Sequence, residues 1–302
     1  MDIQLTRWTA ADHDAVRVLL ETPELQTQFD KLVGPKRIES WLADPFCDTE
    51  MRWIAWADGA VAGFGYAFLL HTSDPPWAML RVAVAPAFRR RGIGTRLLEA
   101  HLAALPGRAP GIREVCLSAF EPCPESEAFA LRHGFHGVRQ FWLMARAIEH
   151  LKAPVWPAGI TTRAFDGSER ALGDWNDAYN DSFSRHYHFV RSTLEEVRAT
   201  VVLPDFDPTA LMLAYEGDHC VGFCKNEVHA HSGEIATLAV VHAWQGRGLG
   251  RALLRWGARW IADRGVLPLT LMVDGENEQA LRLYRSEGFE ITKTRPVWAR
   301  QP

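Results

Sequence analysis

The feature that most constrains this chain is a repeated phrase. Ala87–Leu98 reads AFRRRGIGTRLL, and 156 residues later Ala243–Leu254 reads AWQGRGLGRALL. Further matches follow in the same order at offsets of 154 to 159. They are Thr6-Arg7 with Thr162-Arg163, AWADGAVAGFGY with AYEGDHCVGFCK, Gly134-Phe135 with Gly288-Phe289, and Ala145-Arg146 with Ala299-Arg300. Five ordered matches indicate a duplicated domain. A chain of 302 residues has the length for two. Pro154 and Pro157 interrupt regular structure between the copies. The reading is therefore a first domain at residues 1–147, a linker at 148–158 and a second domain at 159–302.

Each copy carries one pattern. A short strand (Ile3–Trp8; Ile160–Phe165) precedes a helical region of about 40 residues. A hairpin follows, turning at Asp58-Gly59 and at Gly217-Asp218. An apolar strand, MLRVAVA or IATLAVV, then enters the glycine phrase, and a helix leaves it. Another strand (Glu114–Ala119; Leu267–Val273), a short helix and a final strand close the unit. This order predicts an α/β fold: two tandem domains, each a mixed central sheet flanked by helices.

A glycine phrase between a strand and a helix start brings free backbone N–H groups and the positive helix end toward one place. That suits a phosphate or pyrophosphate. Arg247 and Arg251 can add charge-assisted bonds. The Walker loop is excluded, because Arg251-Ala252 stands where it needs Lys-Ser/Thr. The three-glycine dinucleotide spacing is absent as well.

With these residues in view, the chain resembles the GNAT superfamily of N-acetyltransferases, which move an acetyl group from acetyl-CoA to an amine. QGRGLG (Gln245–Gly250) and RRRGIG (Arg89–Gly94) are similar to its pyrophosphate loop. NEQALRLYRSEGF (Asn277–Phe289) is similar to its Asn-x-x-Ala-x-x-x-Tyr-x-x-x-Gly-Phe segment. The tandem arrangement, with NDSFSRH at Asn180 and GEIATLAV at Gly233, resembles the mycothiol synthase family within it. The resemblance implies that the strand before the loop splays from the next parallel strand and that pantetheine lies in the gap. Acetyl-CoA would then meet Leu238, Ala239, Val240, Gln245, Gly246, Arg247, Gly248, Leu249, Gly250, Arg251, Ala252 and Asn277 in the second copy. The first copy either binds acetyl-CoA, through Val82, Val84, Arg89, Arg90, Arg91, Gly92, Ile93, Gly94 and Thr95, or only buttresses the fold. A backbone N–H near Val240 would stabilise the oxyanion.

Comparing the copies singles out one catalyst. Tyr284, four residues before Gly288, occupies the family's general-acid position; the first copy has Ala130 there. Asn277 corresponds to Cys123. Glu234, fourteen residues before Gly248, corresponds to Ala78. The mycothiol synthase resemblance implies that Glu234 is the base, taking the amine proton while Tyr284 protonates the leaving thiolate. The phosphate loop is written twice and the proton chemistry once, so the second domain is the expected catalyst. Each residue also has a plain structural role: Tyr284 in helix packing, Glu234 in a turn, Asn277 as a helix cap.

Acceptor selection falls to the helical region after Ile160–Phe165, where Tyr179, Phe183, His186 and His188 suit a small-molecule pocket. Trp175, Tyr179 and Phe183 also fit a buried helix stripe. His186 or His188 offers an alternative base. The activity this favours is acetyl transfer to the primary amine of a small molecule. A protein N-terminal or lysine acetyltransferase and a non-catalytic acyl-CoA sensor are the alternatives.

A metal is not expected. His219, Cys220, Cys224, His229 and His231 cluster in sequence, with alternation placing Cys220 with Cys224 and His229 with His231. They lack a Cys-x-x-Cys anchor. A net charge of −4 argues against a nucleic-acid partner, and no apolar run approaches the roughly 20 residues of a membrane span. Five unpatterned cysteines and a start without leader features suit the cytoplasm. A tandem pair is expected to be a monomer with an internal pseudo-dimer.

Overall fold

The structure is a computed structural model that describes residues 2–25, 46–70, 73, 75–203, 206–229 and 232–302. It divides into two compact units, Met1–Gln140 with Thr294–Pro302, and Phe141–Lys293.

In the first unit, strand β1 (Ile3–Arg7) is followed by helix α1 (His13–Leu20), β2 (Trp53–Ala57), β3 (Ala60–Leu70) and β4 (Trp77–Val84). Helix α2 (Ile93–Arg108), β5 (Glu114–Ser118), α3 (Pro124–Arg132) and β6 (His136–Arg146) come next. The second copy repeats the series. It runs β7 (Ile160–Ala164), α4 (Glu169–Phe183), α5 (Leu194–Val201), β8 (Leu211–Glu216), β9 (His219–His229) and β10 (Ser232–Val240). It ends with α6 (Leu249–Ala262), β11 (Leu269–Asp274), α7 (Glu278–Ser286) and β12 (Glu290–Arg300).

Neighbouring strands are antiparallel except for one parallel pair in each unit, β4–β5 and β10–β11. The compact units are not the sequence repeats, because the last strands are exchanged. Phe141–Arg146 of β6 pairs with β11, and Val297–Arg300 of β12 pairs with β5. Each edge strand therefore gains its hydrogen-bond partner from the other repeat, which leaves no open edge at β5 or β11.

Apolar residues at helical spacing seat α6 on its sheet: Leu249, Leu253, Leu254, Ala258 and Ile261 are all buried. At the crossing of helix and hairpin, the two copies swap volumes. In the first, Gly65 makes room for His101, whose ring would lie 2.5 Å from a Cβ at that glycine. In the second, a Cβ at Gly257 would lie 2.8 Å from Cys224 Sγ. One partner of each pair must be glycine, because interiors close-packed to this degree have no room for two side chains.

The copies also differ in strand regularity. β4 pairs with β3 without a break, whereas β10 carries a bulge at Ala236, between Ile235 and Thr237. A bulge common to both copies, at Ala62 of β3 and Val221 of β9, corrects the alternation expected for the cysteines. Cys220 lies with the residues packed under α4, while Cys224 lies in the core under α6. They do not share a face. His231 lies outside the described residues. Among the described residues, no helix is long and apolar enough to cross a membrane.

Candidate active site

The parallel pairs open into clefts. β10 pairs with β11 only over Gly233–Ile235, and β4 with β5 only over Trp77–Met79. Beyond those points β10 continues to Val240 and β4 to Val84, each paired on its other side alone. Leu238, Ala239 and Val240 thus lie on an edge that faces the gap, the geometry in which an extended ligand adds as a strand.

The glycine loops end these strands. Gly248 and Gly92 sit at the N-caps of α6 and α2 with φ of 87° and 81°, a left-handed turn that an L side chain adopts at a cost. No side chain caps either helix. The first-turn N–H groups of two long helices are left to an external acceptor. Gln245 Nε2 donates to Val240 O at 3.1 Å, and Arg89 Nε to Val84 O at 3.4 Å, so each loop is tied to its own strand end. Arg247 lies over the Trp244 ring at 4.7 Å, and Arg91 over Phe88 at 5.7 Å.

Arg251 is directed elsewhere. Its guanidinium donates to the Glu287 carboxylate and to Ser286 Oγ, and Arg255 donates to the same carboxylate from Nε at 2.9 Å. Burial alone would raise the Glu287 carboxyl, but these hydrogen bonds outweigh it and hold it below the usual range. The pair fastens α6 to α7. Thr95 and His133, the matching residues of the first copy, meet at 3.1 Å. What Arg251 and Ala252 bring to the loop is their backbone.

In the first unit the loop walls a cavity of about 280 Å³. Val82, Val84, Arg89, Arg90, Gly92, Ile93, Gly94 and Thr95 line it, joined by Phe129 and Trp298. Arg81 Nη1 donates to Ser118 O at 3.1 Å and so bridges β4 to β5 beyond their last pair. Glu125, paired with Arg89 at 2.9 Å, is an acid of the cavity's lining, while the positions that match Glu234 and Tyr284 hold Ala78 and Ala130, both fully buried.

The second unit has a phenol and a carboxylate at these positions. Tyr284 is buried on α7, 6.1 Å from the Phe289 ring, in the core shared with α6 and Ile235. Burial, and then the neighbouring Cys224, push its phenol well above the ordinary tyrosine value. It therefore stays protonated at neutral pH. Glu234 lies at the closed end of the cleft, opposite Thr270 of β11 and Glu227 of β9. Gly233 and Ile235 on either side of it face α6, so strand alternation turns Glu234 to the other face, toward α4. Its side chain is 12% exposed, and Oε2 is 2.9 Å from His229 Nε2. The structure therefore sets Glu234 and Tyr284 on opposite sides of the sheet at the cleft. Asn277 caps α7, its Oδ1 accepting from Ala280 N–H at 3.0 Å.

The acceptor candidates only partly converge. Tyr179 stacks on Phe183 at 4.8 Å, and Phe183 meets His186 at 4.6 Å. Trp175 is buried beneath them in the core, as a helix stripe requires. His188 stacks instead on Tyr187, at 3.8 Å, with a left-handed φ of 54°. Asp181 Oδ1 accepts from the His242 backbone N–H at 2.7 Å, and His242 Nε2 is 3.2 Å from Ser184 Oγ. The end of α4 is thereby tied to the chain entering the glycine loop. Sequence reasoning missed Glu227, Glu287 and Arg81, and weighed His229 only as a metal ligand. The hairpin register, which brings residues 229 and 234 together, was the available signal.

The model of the acetyltransferase (GNAT) family matches residues 17–135 and 172–289. A mycothiol acetyltransferase of Kineococcus radiotolerans is 37% identical over 251 residues, covering 81% of this chain and 80% of the relative. One from Cellulomonas flavigena is 31% identical over 100% of this chain and 85% of its own length. Among solved structures, a GCN5-related N-acetyltransferase from Sphaerobacter thermophilus matches with a TM-score of 0.75 at 27% identity, over 99% of this chain and 95% of that one. A tandem GNAT protein from the clavulanic acid biosynthesis pathway gives 0.77 at 16% identity, over 99% and 98%, a likeness of fold.

Proposed function

This chain belongs to the GNAT family of acetyltransferases, and we propose that its second repeat transfers the acetyl group of acetyl-CoA to the primary amine of a small molecule. The relatives named mycothiol acetyltransferase support a small-molecule acceptor. The observation that carries the reading is the asymmetry of the repeats: both hold a glycine loop, and only the second has a carboxylate and a phenol where the first has Ala78 and Ala130.

In this reading the N–H groups of Gly246–Ala252 hold the pyrophosphate, and the edge of β10 holds the pantetheine. Glu234 takes a proton from the acceptor ammonium, directly or through one water. The freed amine attacks the thioester carbonyl, and a backbone N–H near Val240 meets the oxyanion that forms. Collapse breaks the C–S bond, and Tyr284 gives its proton to the departing thiolate. The nitrogen, which still carries an extra proton after attack, gives it to solvent, the phenolate regains a proton from solvent, and Glu234 releases its own. Tyr179, Phe183 and His186 form the acceptor wall. The test is release of free thiol from acetyl-CoA across a panel of amino sugars, a cysteinyl amino sugar, polyamines, amino acids and short peptides. Turnover on peptides alone would replace the small-molecule reading with a protein acetyltransferase. Binding of acetyl-CoA without turnover on any amine would leave an acyl-CoA sensor.

A further inference from the structure

Glu227 and Glu234 are directly opposed on β9 and β10. Two carboxylates in that relation repel each other, and a strand pair that keeps them needs a cation or a donor between them. The structure has both. Lys225 Nζ stands 3.0 Å from Glu227 Oε1. His229 Nε2 stands 2.9 Å from Glu234 Oε2 and 3.9 Å from Glu227 Oε2. All four side chains come from the same face of the hairpin, and none is more than 29% exposed. An ionised carboxylate only accepts, so His229 Nε2 must carry the hydrogen.

We propose that His229 is the positioning residue of the reaction: its Nε2–H fixes Glu234 Oε2 and sets the carboxylate against Glu227. The inference rests on reading Glu234 as the base. The imidazole itself touches neither substrate. It acts by keeping Glu234 ionised and aimed, as a third group orients the base in other acyl-transfer sites. Lys225 does the same for Glu227, so that each of the two opposed carboxylates has its own donor from the same strand.

The test uses the full chain and two readouts. The first is the carboxyl carbon resonance of Glu234 in protein labelled with ¹³C-glutamate, assigned by its loss in Glu234→Gln and followed against pH. In His229→Ala the carboxylate loses the Nε2–H and still faces Glu227, so its midpoint should move up by about one pH unit. In His229→Gln, whose amide N–H can replace Nε2–H, most of that shift should be absent. The second readout is kinetic, with acetyl-CoA and the cysteinyl amino sugar. His229→Ala should lower kcat about 10- to 100-fold, leave the KM for acetyl-CoA within twofold, and move the acid limb of the pH profile upward. An unmoved Glu234 midpoint in His229→Ala overturns the proposal, whatever the kinetics. An unchanged kcat in His229→Ala, with Glu234→Gln inactive, overturns it too and leaves Glu234 as base. Full activity in Glu234→Gln instead removes the underlying reading, and the resonance still reports on the pairing by itself.

Discussion

Asn180 holds Ser192 by both ends of its peptide: Oδ1 accepts from the Ser192 N–H at 2.8 Å, and Nδ2 donates to the Ser192 carbonyl at 2.8 Å. Asn180 is 5% exposed, so a buried amide on α4 pins the segment that carries His186 and Phe189. Asn180→Ala leaves two backbone groups without their partner and should cost about 1–3 kcal/mol. In the proposed site it also loosens the acceptor wall. The KM for the amine should rise several-fold while the KM for acetyl-CoA stays put. Denaturant unfolding and two-substrate kinetics check the two halves separately.

The tyrosines set an alkaline limit to stability. Burial first raises the phenols of Tyr66, Tyr215 and Tyr284 well above the ordinary 10.0; Asp174 adds to it at Tyr215 and Cys224 at Tyr284, while Arg81 opposes it at Tyr66. For a group raised in the folded state, the stabilisation is complete below the unfolded value and is lost as pH rises through the folded one. Stability should therefore hold up to about pH 10 and fall steeply above it. Urea midpoints between pH 8 and 11 test this, and substitution of Tyr66 by Phe should soften the fall.

Glu287 works in the opposite direction. Its side chain is 4% exposed between Arg251 and Arg255, and its carboxyl is held below the usual 4.5. The stabilisation is present above that value and lost as pH falls through the lowered folded one. Breaking a buried pair costs about 3–5 kcal/mol, and the partial exposure of Arg251 brings the expectation for Glu287→Gln to about 2–3 kcal/mol at neutral pH. The difference between wild type and variant should shrink on acidification below pH 4.5.

The glycine loop separates backbone cost from ligand cost. A Cβ at Gly248 would meet nothing within 4 Å, so Gly248→Ala strains only the left-handed φ of 87°, at about 1–2 kcal/mol. In the proposed site the same methyl stands where the pyrophosphate approaches. Acetyl-CoA affinity, measured by calorimetry, should fall at least tenfold, with a small loss of thermal stability.

How much of this was legible in the sequence follows from what each feature depends on. The loop, Tyr284 and Asn277 are local phrases, and the α/β order follows from periodicity. The strand exchange depends on which sheet edges are left open, and residues 141–146 read the same wherever they pair. The bulges at Ala236 and Val221 shift faces by one residue, which no period-2 reading anticipates; Cys220 and Cys224 were misassigned for that reason. Asn277 bears two signals in one residue, and its capping bond to Ala280 is the one the structure displays. Glu287, beside the family's Gly-Phe, looked like any surface acid until α6 placed two arginines on it. The volume swap between Gly65–His101 and Cys224–Gly257 is invisible to alignment by residue type, because the glycine changes sides.

The central claim is that one repeat does the chemistry with Glu234 and Tyr284. The most direct measurement is thiol release from acetyl-CoA and the cysteinyl amino sugar by wild type, Tyr284→Phe and Glu234→Gln, with acetyl-CoA binding measured on the same samples. The account predicts turnover by wild type, a fall of about 10²- to 10⁴-fold in each variant, and unchanged acetyl-CoA affinity in both. Turnover in Tyr284→Phe and Glu234→Gln equal to wild type would contradict it.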